Sequence, residues 1–97
     1  MQINMNSPVE EIAEAFDIQE VLNAEYDLVV YNDDVNSFDH VIESLVDVCQ
    51  HQLVQAEQCT WIIHHNGKCS VKRGSYEKLE PMHQALLDRQ ISTKIEC

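Results

Sequence analysis

Residues 26–49 read YDLVVYNDDVNSFDHVIESLVDVC, and the fold turns on how that stretch divides. Tyr26–Tyr31 is a β-branched and aromatic run of strand length. Asn32-Asp33-Asp34 is poor in both helix and strand, so the strand stops there and the chain turns. Ser37 is a favourable helix N-cap. After it, Phe38, Val41, Ile42, Leu45, Val46 and Cys49 fall at i, i+3, i+4, i+7, i+8 and i+11, the spacing of an amphipathic helix. Asp39 in the first turn suits the helix dipole.

Downstream, Leu53–His65 admits two readings. LVQAEQ favours helix and CTWII favours strand, and Asn66-Gly67 between two apolar runs is a strong hairpin signal. In the helical reading Leu53, Ala56, Thr60 and Ile63 share a face, and Gly67 supplies the left-handed residue that ends the helix. KCSVKR then forms a strand. Ser75 through Gln90 reads as a helix with Leu79, Met82, Leu86 and Leu87 inward and Pro81 early, near where a helix tolerates it. ISTKIE at 91–96 reads as a short strand, with Ile91, Thr93 and Ile95 taken as the outward set. The resulting order is β-α-α-β-α-β, a two-layer α+β domain with three helices on one face of a three-stranded sheet.

Upstream, residues 1–24 are expected to form a flexible acidic extension, leaving 25–97 as the core domain. Ile12, Phe16 and Leu22 fall loosely on one helical face. Six acids through Glu25 have no positive partner, so an isolated helix would be marginal.

The 97 residues suit one domain with one small core. Acidic residues number 17 against 6 Lys plus Arg, a net charge of −11. Residues 1–67 carry 13 acids and no Lys or Arg. Such a field repels phosphate backbones and attracts cationic amino termini or basic protein faces. Nucleic acid is therefore disfavoured as a partner. No apolar run approaches the roughly 20 residues of a membrane span, and no signal peptide is visible, so a cytoplasmic location is expected. Cys49, Cys59, Cys69 and Cys97 form no C-x-x-C pair and read as free thiols.

YDLVVYNDDVNSFDHVIESL, followed by QAEQCTWIIHHNGKCSV and a terminal ISTKIE, resembles the ClpS adaptors of the Clp ATP-dependent protease. The resemblance covers about residues 26–96. It implies a three-stranded antiparallel sheet packed by helices, places Leu53–His65 on a helix, and implies no enzymatic activity and no cofactor. The implied role is recognition of N-degrons: binding proteins whose first residue is Leu, Phe, Tyr or Trp and delivering them to a Clp AAA+ unfoldase through its N-terminal domain.

Such a reader must recognise a free α-amino group, an ammonium with three donors and no acceptor. By the resemblance Asn32, Asp33 and His64 supply the acceptors: a side-chain carbonyl, a carboxylate acting directly or through water, and an unprotonated ring nitrogen. Val35, Asn36, Phe38, Val41, Thr60 and Ile63 are implied as the wall of the side-chain pocket. Glu77 matches an acidic unfoldase-interface position, and Met82 stands nearby where the family pattern has Lys. By the same resemblance, the extension 1–24 is expected to engage the unfoldase during delivery. Asn36-Ser37 replaces a common Thr-Pro, Phe38 a gating residue that is often Met, and His40 a common Phe. The larger gate is expected to exclude β-branched first residues more firmly.

Plainer readings stand beside these. Asn32-Asp33 can be turn residues, His64 a cation at a helix end, His40 and His65 surface residues, and Trp61 core. Cys49, His51, Cys59, His64, His65, Cys69 and His83 are enough ligands for zinc, but they lack a C-x-x-C or H-x-x-x-H clamp. A general peptide-groove domain without N-terminal specificity is the other alternative. A Cys–His hydrolase, Cys59 or Cys69 with His64 or His83, has no Gly-rich turn to build on.

Overall fold

The computed structural model describes residues 23–97. All but the last two residues of the acidic extension expected over 1–24 thus lie outside the described residues. The elements run β1 (Tyr26–Tyr31), α1 (Phe38–Cys49), α2 (Leu53–Asn66), β2 (Lys68–Gly74), α3 (Tyr76–Asp88) and β3 (Thr93–Glu96). The sheet is antiparallel in the order β2-β1-β3, so the YDLVVY strand lies at its centre. That position suits its Leu28, Val29 and Val30, which are all buried. The β1–β2 register slips between Leu28 and Val29: Leu28 faces Lys72 while Val29 faces Ser70, leaving Val71 as an extra, buried residue.

The helices cover one face of the sheet. Ser37 caps α1, its Oγ accepting from the His40 amide at 3.1 Å, and Gln50 ends it at φ 59°. The buried face of α1 is Val41, Ser44, Leu45 and Cys49. α2 is a helix and not a hairpin arm. It buries only Ala56, Thr60 and Ile63, and Gly67 ends it at φ 92° with its N–H on the Ile63 carbonyl. That narrow stripe is why its pattern reads ambiguously. Leu53 and Trp61, expected inside, are exposed, and Trp61 stacks on His65 with ring centroids 3.9 Å apart.

Ser75 caps α3. Pro81 lies inside it, and the N–H it lacks would have met the carbonyl of Glu77, an exposed residue. The helix ends at Asp88, short of the expected Gln90, and Leu87 is exposed instead of inward. The terminal strand is also turned over: Ile91 precedes it and is buried, and Thr93 is buried with its Oγ donating to the Val29 carbonyl at 2.9 Å. Ile91, Thr93 and Ile95 thus face the core, because β3 pairs with the buried centre of β1. Among the described residues no helix is long and apolar enough to cross a membrane.

All four cysteines are free. Burial pushes the Cys49 thiol up to about 11, against a smaller opposing pull from Lys72. Burial, with Cys69 beside it, pushes Cys59 up to about 12. A thiolate is the reactive form, so these shifts disfavour reaction at both cysteines near neutral pH. Iodoacetamide at about pH 8 is expected to modify the exposed Cys97 first and Cys49 only after urea unfolding. A peptide mass map showing Cys49 labelled at the native rate of Cys97 would contradict this.

Candidate functional site

Three segments meet at one corner of the domain. The Asn32 amide, just past β1, donates to the Gly67 carbonyl at 2.8 Å, and the Tyr31 amide donates to the Ser92 carbonyl at 2.9 Å. Gly67 is the residue whose left-handed backbone ends α2. The end of β1 is thereby fixed beside the last two turns of α2, which carry Thr60, Ile63 and His64.

Between β1 and α1 the loop is closed by Asp33. Its Oδ1 accepts from the Val35 amide at 3.0 Å and the Asn36 amide at 2.9 Å, and its Oδ2 accepts from Asn36 Nδ2 at 2.8 Å. This is an Asx-type turn, the local competitor to helix and strand that Asp favours. Burial pushes the Asp33 carboxyl up, but the hydrogen bonds from Asn36 and Val35, with His40 adding positive potential, more than offset it. The carboxyl titrates below the usual range. Asn36 also donates to the Gln90 carbonyl at 2.9 Å, tying the loop to the α3–β3 turn.

The corner encloses a cavity of about 280 Å³ lined by Val30, Tyr31, Asn32, Asp33, Asp34, Asn36, Ser37, Phe38, Val41, Thr60, Ile63, His64 and Ile91. That is the scale of one bulky side chain rather than of a large ligand. Its buried lining is Val30, Val41, Ile63 and Ile91 with Thr60, and its more exposed lining carries amide, carboxylate, hydroxyl and imidazole groups, with no Lys or Arg among the lining residues. Phe38 is 43% exposed at the mouth, and its ring meets His64 edge-on, with centroids 5.0 Å apart and planes at 72°.

Of the residues singled out in the sequence, Asn32, Asp33, Asn36, Phe38, Val41, Thr60, Ile63 and His64 are brought together around this cavity. Val35 is not. Its amide is held by Asp33 on the inside of the turn, and its side chain, 84% exposed, borders a separate shallow groove with His40 and Arg89. Asp33 spends three acceptor positions on its own loop, which makes it first a shaper of the site. Val30, Tyr31, Asp34, Ser37 and Ile91 also line the cavity and were not foreseen. Ile91 carries the signal of an apolar residue next to a strand, but faces the core and not, as expected, outward.

Glu77 is exposed on α3 and borders another hollow with Tyr26, Tyr76, Glu80 and Pro81. Met82 is half-buried and packs against the core, so it does not stand free beside Glu77. Among the described residues no three His, Cys, Asp or Glu side chains converge on a point that could hold a metal ion.

Replacing Asp33 by Ala removes the acceptor that closes the loop. The expected cost is about 1–2 kcal/mol, or a fall of several degrees in Tm. The contribution also depends on pH. The folded carboxyl titrates below its unfolded value, so the stabilisation is complete above the ordinary carboxylate range and drains away as pH falls through the folded value. Thermal melts of both proteins should therefore converge on acidification. A constant difference between them would place the Asp33 contribution elsewhere.

A sequence model of the family described as "ATP-dependent Clp protease adaptor protein ClpS" matches residues 22–97. Among curated proteins, the "ATP-dependent Clp protease adapter protein ClpS" of Campylobacter jejuni subsp. jejuni is 43% identical over 42 residues, which is 43% of this chain and 44% of that protein. The protein of the same name from Campylobacter jejuni subsp. doylei matches to the same extent. The matched stretch spans less than half the length of these relatives.

Proposed function

The chain belongs to the ClpS family of Clp protease adaptors, a family of adaptors and not of catalysts, and from that premise we propose that it reads the first residue of other proteins in the cytoplasm and delivers them to a Clp AAA+ unfoldase. The observation that carries this reading is the pairing of an apolar cavity with a rim of acceptors and no lining cation. An amino-terminal residue is the one place in a protein where an ammonium and a side chain leave the same carbon. The ammonium is a triple donor, and hydrogen bonds to a charged group contribute roughly 1.5–3 kcal/mol each. Asn32 and His64, both in the cavity lining, would supply the acceptors, and Asp33 adds negative charge to the loop it closes. Burial of a Leu- or Phe-sized side chain adds about 1.5–3 kcal/mol. Together the two halves reach an affinity near micromolar, about −8 kcal/mol. Neither half does so alone, which turns the site into a reader of chain ends and not of apolar patches.

A peptide series varied only at position one tests this by fluorescence anisotropy. Peptides starting with Leu, Phe, Tyr or Trp are expected to bind, and those starting with Gly, Asp or Lys to fail. Equal binding across the series would end the proposal.

The exposed Glu77 face of α3 is proposed as the surface for the unfoldase's N-terminal domain, and the acidic stretch 1–24 as the segment that engages the unfoldase during delivery. Glu77→Arg is expected to weaken unfoldase binding while leaving peptide affinity unchanged. A parallel loss of both would place Glu77 at neither surface.

A further inference from the structure

The α3–β3 turn is closed by two backbone hydrogen bonds, from the Ile91 amide to the Leu86 carbonyl at 3.0 Å and from the Gln90 amide to the Leu87 carbonyl at 2.9 Å. This is a Schellman arrangement, in which Gln90 takes the left-handed position, φ 64°, that glycine fills most easily. Those bonds leave the carbonyls of Arg89 and Gln90 without a partner in the turn itself. Each is met by one side chain from across the domain: His40 Nε2 approaches the Arg89 oxygen to 2.9 Å, and Asn36 Nδ2 the Gln90 oxygen to 2.9 Å. A carbonyl can only accept, so His40 carries its proton on Nε2. The next residue, Ile91, is buried and lines the cavity. His40 itself lies in the first turn of α1, two residues beyond Phe38. From the other direction, the Arg89 guanidinium reaches Asp47 on α1 at 3.3 Å.

The geometry points to His40 as a positioning residue of the cavity. Its hydrogen bond to the Arg89 carbonyl holds the first turn of α1, and with it Phe38, against the turn that carries Ile91. Asn36 makes the parallel tie for the loop that carries the acceptors. The mouth and floor of the cavity are thus held at one separation before any ligand arrives. This inference rests on the reading of the cavity as an amino-terminus site and extends it to a residue that lies outside the cavity lining.

Two variants separate positioning from general packing. His40→Phe fills the space without a donor, and His40→Gln restores an N–H at similar reach. In the ligand-free protein, the Val35 and Asn36 amides are expected to exchange with solvent about tenfold faster in His40→Phe and at the native rate in His40→Gln. Affinity for a Leu-starting peptide is expected to fall about 5- to 10-fold in His40→Phe and to return to within about twofold of native in His40→Gln. The ratio of Leu- to Phe-starting affinities should shift in the first variant alone. Native exchange and native affinity in His40→Phe would overturn the inference, and so would a loss that tracks Tm and that His40→Gln fails to rescue. If the native protein binds no free-amine peptide, the proposed function falls, while the exchange rates still decide the role of His40.

Discussion

A peptide that begins with Leu or Phe is expected to lose at least ~100-fold in affinity when its α-amino group is acetylated, with every other atom unchanged. Acetylation turns a cation with three donors into a neutral amide with one. Two donors and the charge disappear, and the acetyl group adds bulk where the rim stands. At roughly 1.5–3 kcal/mol for each charge-assisted hydrogen bond, two lost bonds account for two or more factors of ten. The rim acceptors are then left facing a carbonyl or methyl group that cannot satisfy them, which adds to the loss. The surrounding field acts in the same direction, since the cavity is lined by Asp33 and Asp34 and by no cation. Fluorescence anisotropy on the paired peptides reads the effect directly. Equal binding of the two would leave a general apolar groove as the better description. A tightly held stoichiometric zinc, found in protein purified without chelator, would favour the metal reading instead.

The parts of this domain legible in the sequence are those where burial follows one strong period. α1 buries Val41, Leu45 and Cys49 beneath a Ser37 cap, and its spacing gives it away. α2 buries three residues in fourteen and leaves Leu53, Val54 and Trp61 in solvent, so its apolar content misleads about its face. Only the resemblance decided between helix and hairpin there. The direction of Ile91 and Thr93 was illegible for a different reason. In a four-residue strand, alternation is too short to say which set is inward, and the pairing with β1 decides it. The site divides in the same way. Asn32 and His64 are 32 positions apart, and no local pattern joins them. What joins them is the pairing of β1 with β2, which sets Tyr31 opposite Lys68 and ends in the hydrogen bond from the Asn32 amide to the Gly67 carbonyl, visible only once α2 ends at Gly67. The loop chemistry was half legible. Asp33 after a strand suggests a turn, but its three hydrogen bonds, and the outward placement of Val35 that follows from them, depend on a backbone path that the residues alone do not specify.

Phe38→Ala is expected to change which first residues bind more than whether any bind. A half-exposed Phe at the mouth of a cavity is expensive in solvent, and its edge-on contact with His64 at 5.0 Å offsets part of that cost. On the proposed reading, the ring narrows the opening where the first Cβ of a bound chain would lie. An unbranched Cβ, as in Leu or Phe, is expected to pass such a constriction, and the second substituent on the Cβ of Val or Ile to meet the ring. Removing the ring therefore relieves a clash for β-branched residues and withdraws apolar contact from unbranched ones. The two effects add in the ratio. The Leu-to-Val preference is expected to fall by roughly 10- to 30-fold, in line with the discrimination an apolar pocket gains from one or two methylene-sized contacts. Because Phe38 lies outside the buried core, the variant should melt within a few degrees of the native protein. Titration of the native protein and of Phe38→Ala with matched Leu- and Val-starting peptides gives the ratio. If it is unchanged, Phe38 is a residue of the α1 surface and the width of the mouth is set by Ile63, Ile91 and the loop.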